Sequence, residues 1–128
     1  MIPRITPTEA QIQQATAEWV DLYRRSCPVP IYAFHVPNEG LRTKANGGRL
    51  KAAGMKAGVP DWCIMLPGGQ MGFIELKTPA AAKTRGSGLS EEQSAFQDRC
   101  EQMGHRWALC TSLTEFEATI KGWVNALL

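Results

Sequence analysis

Two short alternating runs on either side of a turn constrain this chain more than any other feature. Residues 61–66 and 71–77 are mostly apolar, and Pro67-Gly68-Gly69-Gln70 lies between them. That pattern predicts a β-hairpin. Along Phe73-Ile74-Glu75-Leu76-Lys77 the side chains alternate, so Phe73, Glu75 and Lys77 share one face and Ile74 and Leu76 take the other. A carboxylate and an ammonium group therefore project together from an apolar strand. A turn centred on Gly68 sets Asp61 opposite Glu75, and one centred on Gly69 sets it opposite Lys77. In either register Asp61 joins their face.

The flanking segments supply the other elements. Thr6-Pro7-Thr8-Glu9 reads as a helix start, with Thr6 as N-cap, Pro7 at N1 and Glu9 completing a capping box. Ile12, Ala15, Trp19, Leu22 and Tyr23 follow at helical spacing, and Cys27-Pro28-Val29-Pro30 ends the helix. Residues 31–36 read as a strand, and Pro37-Asn38-Glu39-Gly40 as a turn. Residues 41–59, broken by four glycines, read as a mobile loop with one short helix near residues 48–55. Residues 78–89 read as a flexible loop. Ser90-Glu91-Glu92-Gln93 is a second capping box, opening a helix that Gly104 closes. Residues 107–110 read as a strand, and Ser112 caps a last helix with Phe116, Ile120, Trp123, Val124 and Leu127 on its stripe. The expected order is α-β-β-β-α-β-α in one domain, residues 1–128. The helix before the last strand permits a parallel crossover, so the expected fold is α/β with a mixed four-stranded sheet.

Charge narrows the class of partner. Residues 40–90 hold eight basic residues (Arg42, Lys44, Arg49, Lys51, Lys56, Lys77, Lys83, Arg85) against two acids, Asp61 and Glu75. The rest of the chain carries six basic and ten acidic residues, for a net charge of +2 overall. A basic middle with two isolated acids points to an anionic partner, nucleic acid above all. No apolar run is long enough to span a membrane, and the first nine residues lack the pattern of a signal peptide. A cytoplasmic protein is the expectation. The cysteines, Cys27, Cys63, Cys100 and Cys110, have no metal-ligand spacing and are expected as reduced, mostly buried thiols. The glycines do not form a phosphate-binding loop, because no Gly-Lys-Ser/Thr follows them. No organic cofactor is expected.

Two close carboxylates repel, and each tends to hold a proton unless a cation separates them. A hard divalent ion such as Mg²⁺ or Mn²⁺ suits oxygen ligands of this kind. It can activate water and neutralise charge growing on a phosphate. The same spacing also fits a plain ion pair between Glu75 and Lys77, with Asp61 capping a turn. His35 is open to two readings, a DNA contact or a bonded structural histidine. Trp62 should face away from Asp61, toward a helix.

Gly58-Val59-Pro60-Asp61 followed by Phe73-Ile74-Glu75-Leu76-Lys77 resembles the PD-(D/E)xK nuclease signature. More specifically, the chain resembles the VRR-NUC family, the virus-type replication-repair nucleases. The matching features run in order: Glu9 with Ile12-Gln13, Pro37-Asn38-Glu39-Gly40, Lys56-Ala57-Gly58-Val59-Pro60-Asp61, Ile74-Glu75-Leu76-Lys77 and Leu89-Ser90-Glu91-Glu92-Gln93. They cover nearly the whole chain, with no departure at a position the family's chemistry requires.

The resemblance implies a restriction-endonuclease-like core and a Mg²⁺- or Mn²⁺-dependent endonuclease acting on DNA. Asp61, Glu75 and the backbone carbonyl of Leu76 would bind the metal. Lys77 would position the attacking water. Glu9 would reach the metal directly or through water, and Gln93 would hold Lys77 or the scissile phosphate. Glu9 and Gln93 both fall on the third residue of an expected capping box, which by itself accounts for a Glu or Gln there. Arg42, Lys44, Arg49, Lys51, Lys56, Lys83 and Arg85 would contact DNA phosphates. No basic recognition helix is evident, so recognition of branched DNA, such as flaps or four-way junctions, is expected. The resemblance further implies a homodimer making paired incisions, and a phage or prophage product. The competing expectation is a catalytically silent nuclease fold that only binds DNA.

Overall fold

The structure, a computed structural model, describes residues 6–37 and 44–128. The hairpin forms as the alternation predicts. Strands β2 (Trp62–Met65) and β3 (Met71–Leu76) pair antiparallel, with Trp62 opposite Ile74 and Met65 opposite Met71. Gly68 and Gly69 take φ values of 86° and 77° in the turn, a region that a β-carbon resists. Strand β1 (Tyr32–His35) pairs antiparallel with β2 on its other side. Strand β4 (Arg106–Cys110) pairs parallel with β3, Leu76 lying opposite Cys110. The sheet is thus mixed and four-stranded, in the order β1-β2-β3-β4.

Helices cover both faces because alternate strand residues are apolar on both. Ile12, Thr16 and Val20 make one buried stripe on α1 (Glu9–Tyr23), and Phe116, Ile120 and Val124 make another on α5 (Leu113–Asn125). The apolar members of both stripes join Trp62, Ile64, Ile74 and Leu76 from the sheet in one core. Phe116 is fully buried, with the Trp62 ring 5.6 Å and the Trp19 ring 6.0 Å from its own. Truncating it to Ala is expected to cost about 3–5 kcal/mol. Phe73, one step out of phase with Ile74, turns to the opposite face and meets Phe96 of α4 (Glu91–Gln102) edge-on at 5.0 Å. All four cysteines are free thiols, and Cys63, Cys100 and Cys110 are buried. Among the described residues no helix is long and apolar enough to cross a membrane.

Three expectations need correction. The first helix is capped by Thr8, not Thr6. The Thr8 hydroxyl accepts from the Gln11 N–H at 3.1 Å and the Gln11 side chain accepts from the Thr8 N–H at 2.9 Å. Both threonines have a Glu or Gln three residues on, and the chain uses the later box; Glu9 becomes the first helical residue. Residues 44–52, expected mainly as loop, form helix α2 (Lys44–Ala52), so Lys44, Arg49 and Lys51 lie on a helix. Residues 78–89, expected as flexible loop, hold helix α3 (Pro79–Ala82) and a 3₁₀ turn at Arg85–Gly88. Thr78 caps α3 by accepting from the Ala81 N–H at 3.2 Å, and Pro79 sits at its start. Local capping outweighs the small-residue composition there. The expected order survives as the frame, with α2 and α3 added. The expected turn at residues 37–40 falls largely outside the described residues.

Candidate active site

The hairpin register decides which groups meet. With Trp62 opposite Ile74, the next pair outward is Asp61 and Glu75, which is the register centred on Gly68. Asp61 lies just before β2 and Lys77 just after β3, so both sit at the same end of the sheet. One Asp61 carboxyl oxygen, Oδ2, accepts from the Leu76 N–H at 2.7 Å. The Asp61 main chain is held from β1: its carbonyl accepts from the Val36 N–H at 2.7 Å and lies 2.9 Å from His35 Nδ1. His35 is therefore the bonded histidine of the two readings. Trp62 faces the other way, against Phe116, as its place in the alternation requires.

Glu75 is only 5% exposed, although it carries a carboxyl group. Burial, reinforced by the negative charge of Asp61, pushes its pKa up to about 8. The Lys77 ammonium opposes that rise, while a hydrogen bond to Asp61 and the charge of Glu9 add to it. Burial also raises Asp61, against the pull of the Leu76 N–H, the hydrogen bond from Glu75, and the charges of His35 and Lys77. Burial thus favours the protonated form of both carboxyls, and the charge of Asp61 adds to the rise at Glu75. An ion of charge +2 between them would do a proton's work better, since it neutralises both oxygens without needing either to stay protonated. The donor set, two carboxylates with the Leu76 carbonyl between Glu75 and Lys77 in the chain, is of the hard oxygen type that Mg²⁺ and Mn²⁺ take.

Gln93 resolves a choice that its position alone leaves open. Its side-chain carbonyl accepts from the Ser90 N–H at 2.9 Å, and its backbone N–H donates to the Ser90 hydroxyl at 3.1 Å. Its amide nitrogen donates to Glu75 Oε1 at 3.0 Å. One amide has two ends, so the residue caps α4 and reaches the acidic pair at once. The partner is Glu75, where Lys77 or a phosphate was expected.

Glu9, at the start of α1, is exposed and acts on Glu75 through its charge. Among the described residues, no three His, Cys, Asp or Glu side chains converge into a metal-holding group.

The basic residues occupy three separate segments. Arg49 and Lys51 are exposed in the last turn of α2, with Arg49 2.6 Å from the Asn46 side chain. Lys56 is exposed and borders a cavity of about 540 Å³ with Glu91, Glu92 and Arg99 of α4. Lys83 and Arg85 are exposed on the connection between Lys77 and Gln93, both of whose ends belong to the site. Arg42 and the side chain of Lys44 lie outside the described residues.

The sequence marks Gly58 as a break in a loop and as part of the motif leading to Asp61, and its packing role emerges from the fold. Gly58 has φ +87°, and a β-carbon there would lie 2.4 Å from the Glu92 carbonyl and 2.8 Å from the Gln93 nitrogen. The absence of a side chain lets the segment leading to Asp61 pack directly on the first turn of α4. Its place in that motif, three residues before Asp61, is the signal that points to it.

The VRR-NUC domain family model matches residues 7–113 of this chain. Two solved structures share the fold. One, described as a VRR_NUC domain protein, has a TM-score of 0.68 at 18% identity, covering 94% of this chain and 91% of its own. The other, described as a VRR_NUC domain, has a TM-score of 0.55 at 18% identity, covering 88% of this chain and 94% of its own. No curated protein matches.

Proposed function

The chain belongs to the VRR-NUC family, a nuclease family, and from that premise we propose that it is a Mg²⁺- or Mn²⁺-dependent endonuclease that cuts branched DNA. The observation that carries this reading is the acidic pair. Glu75 is buried with the half-buried Asp61 beside it, the charge of each disfavouring ionisation of the pair, and Lys77 lies at the same end of the sheet. A pair kept only for stability would be better replaced by apolar groups.

Asp61, Glu75 and the Leu76 carbonyl would hold the ion. When bound, the ion supplies Lewis-acid activation of water and phosphate. Lys77 orients the attacking water and balances charge growing on the phosphate. Gln93 fixes the Glu75 carboxyl in one orientation, and His35 with Val36 fixes the Asp61 main chain. Glu9 adds negative charge at the rim. In the reaction, water oxygen bonds to phosphorus, one phosphorus–sugar oxygen bond breaks, and the departing oxygen takes a proton.

The cations of α2, Lys56 and the Lys83–Arg85 connection would bind phosphates. Their spread over three segments suits a branched backbone better than one groove read base by base. The homodimer with paired incisions rests on the family resemblance alone.

The test is incubation of supercoiled plasmid, linear duplex and four-way junction DNA with Mg²⁺, Mn²⁺ or EDTA. Metal-dependent cutting that favours the junction is the expected result. Binding without cutting in any metal would overturn the enzymatic reading and leave a silent DNA-binding fold.

A further inference from the structure

A second cavity, of about 490 Å³, opens at the end of the sheet that carries the acidic pair. Its apolar walls come from Pro7, Ile12, Ala15, Pro79 and Leu113. Each wall is tied to the site by a short stretch of chain. Pro79 follows Lys77 by two residues. Ile12 lies one helical turn from Glu9, whose charge is felt by Glu75. Leu113 begins α5 just after Cys110, whose carbonyl accepts from the Lys77 N–H at 3.0 Å. The cavity therefore lies beyond the carboxyl ends of the parallel strands β3 and β4, where open sheets of this kind bind their ligands.

Its chemistry excludes some occupants. Among the described residues no charged side chain lines it, so they offer a phosphate or a metal ion no counter-charge. Thr111 and Ser112 reach the rim: the Thr111 hydroxyl donates to Glu115 Oε1 at 2.8 Å, whereas the Ser112 hydroxyl accepts from the Glu115 N–H at 3.1 Å and keeps its own proton to donate. Gln11 uses its side-chain carbonyl in the cap of α1, which leaves its amide nitrogen as a second donor at the rim. Proline rings and aliphatic side chains beside two neutral hydrogen-bond donors suit a flat, neutral, weakly polar group. The bases of a DNA strand are groups of this kind.

We propose that this cavity receives one unpaired nucleobase of the strand being cut, next to the scissile phosphate. The inference rests on the nuclease reading above and deepens it. A base in a duplex must be unstacked and unpaired before it can enter, whereas a base at a branch point or in a single strand is already free. The cavity would thus give selectivity for branched or single-stranded DNA without any base-specific contact.

The experiment first maps the cut on a four-way junction in Mn²⁺. Binding is then measured in Ca²⁺ with the fluorescent base 2-aminopurine, or an abasic residue, at each nucleotide within two of the cut. For the wild-type chain, one position should change 2-aminopurine fluorescence on binding, and the abasic residue there should weaken binding about tenfold. Ala15→Phe, which fills the cavity without touching the acidic pair, should remove both effects and bind the intact and abasic junctions equally. Cutting with no base-sensitive position would overturn this inference and leave the nuclease reading standing. Retained base sensitivity in a folded Ala15→Phe would also overturn it. If Ala15→Phe does not fold, the wild-type abasic comparison decides alone. Absence of cutting in every metal would overturn the nuclease reading and this inference together.

Discussion

Gln93 donates its side-chain amide to Glu75 across 3.0 Å, while the other end of the same amide closes the N-terminal cap of its own helix. The stability of α4 and the orientation of a buried carboxyl therefore depend on one side chain. Gln93→Glu separates the two roles. A Glu preserves the capping box but replaces a donor to Glu75 with a third carboxylate. Melting temperature should stay near that of the wild type, while metal-dependent cutting falls about 10- to 100-fold. Gln93→Ala should lose both, with about 1 kcal/mol of stability going with the cap. Parallel thermal melts and cleavage rates distinguish the cases, and equal cutting by wild type and Gln93→Glu would show that the contact is only structural.

Asp61→Asn should abolish cutting and leave DNA binding intact. It removes one charge of the pair but keeps nearly the same shape and the acceptor for the Leu76 N–H. The charge of Asp61 raises the Glu75 pKa, so its removal should let Glu75 ionise at lower pH. Gel shift and plasmid nicking, run on the same preparation, check both halves. Wild-type cutting by this variant would rule out the assignment of Asp61.

The acidic pair should make the metal-free protein less stable as pH rises. Glu75 holds its proton up to about pH 8 when folded, against an ordinary value of 4.5. Between those values the folded state binds more protons than the unfolded one, so unfolding free energy falls with increasing pH. The contribution is full below about 4.5 and gone above about 8, a change of up to roughly 5 kcal/mol. Denaturant melts in EDTA across that window should show the decline. Glu75→Gln should flatten it, and saturating Mn²⁺ should reverse it. A slope that persists in Glu75→Gln would assign the titration to another group.

Gly58→Ala should destabilise the fold and slow the reaction together. The new methyl group meets the Glu92 backbone at 2.4 Å, and the residue keeps an unfavourable φ of +87°. A loss of about 2–3 kcal/mol is expected. Gly54→Ala is the control: its φ is +108°, but nothing lies within 4 Å, so it should cost only the backbone strain, about 1 kcal/mol. Only Gly58→Ala should also reduce cutting beyond its effect on stability, because the displaced first turn of α4 carries Gln93.

Neutralising Arg49, Lys51, Lys83 and Arg85 should weaken binding to every DNA alike. For each cation that pairs with a phosphate, its removal should lower the slope of log affinity against log salt by about one. Titrations at several salt concentrations read that slope directly. An unchanged slope would show that these exposed cations do not touch the backbone.

Much of the site was legible in the chain because β-structure has a period of two. Once residues 71–77 form a strand, Glu75 and Lys77 must share a face, and Ile74 and Leu76 must turn to the core, where both are fully buried. The capping box at Ser90 was equally plain, since its bonds span three residues. Where two local solutions had equal chemistry, the chain alone could not choose. Thr6 with Glu9 reads as the cap, yet Thr8 with Gln11 has the same chemistry and is the box the chain forms. At residues 78–89 the Thr78-Pro79 start signal outweighs the small-residue composition and sets a helix where a loop is expected.

Local periodicity, capping chemistry and the clustering of opposite charges were therefore set by the sequence itself, because they depend on neighbours a few residues apart. Only tertiary structure decided that Asp61 faces Glu75, that Gln93 completes their contacts, and that Gly58 lets α4 come close. Those contacts join residues 14 to 35 positions apart, and short-range rules carry no information about such distances. The raised proton affinity of Glu75 is likewise a property of the folded interior: the same carboxyl in the open chain would be solvated and ordinary.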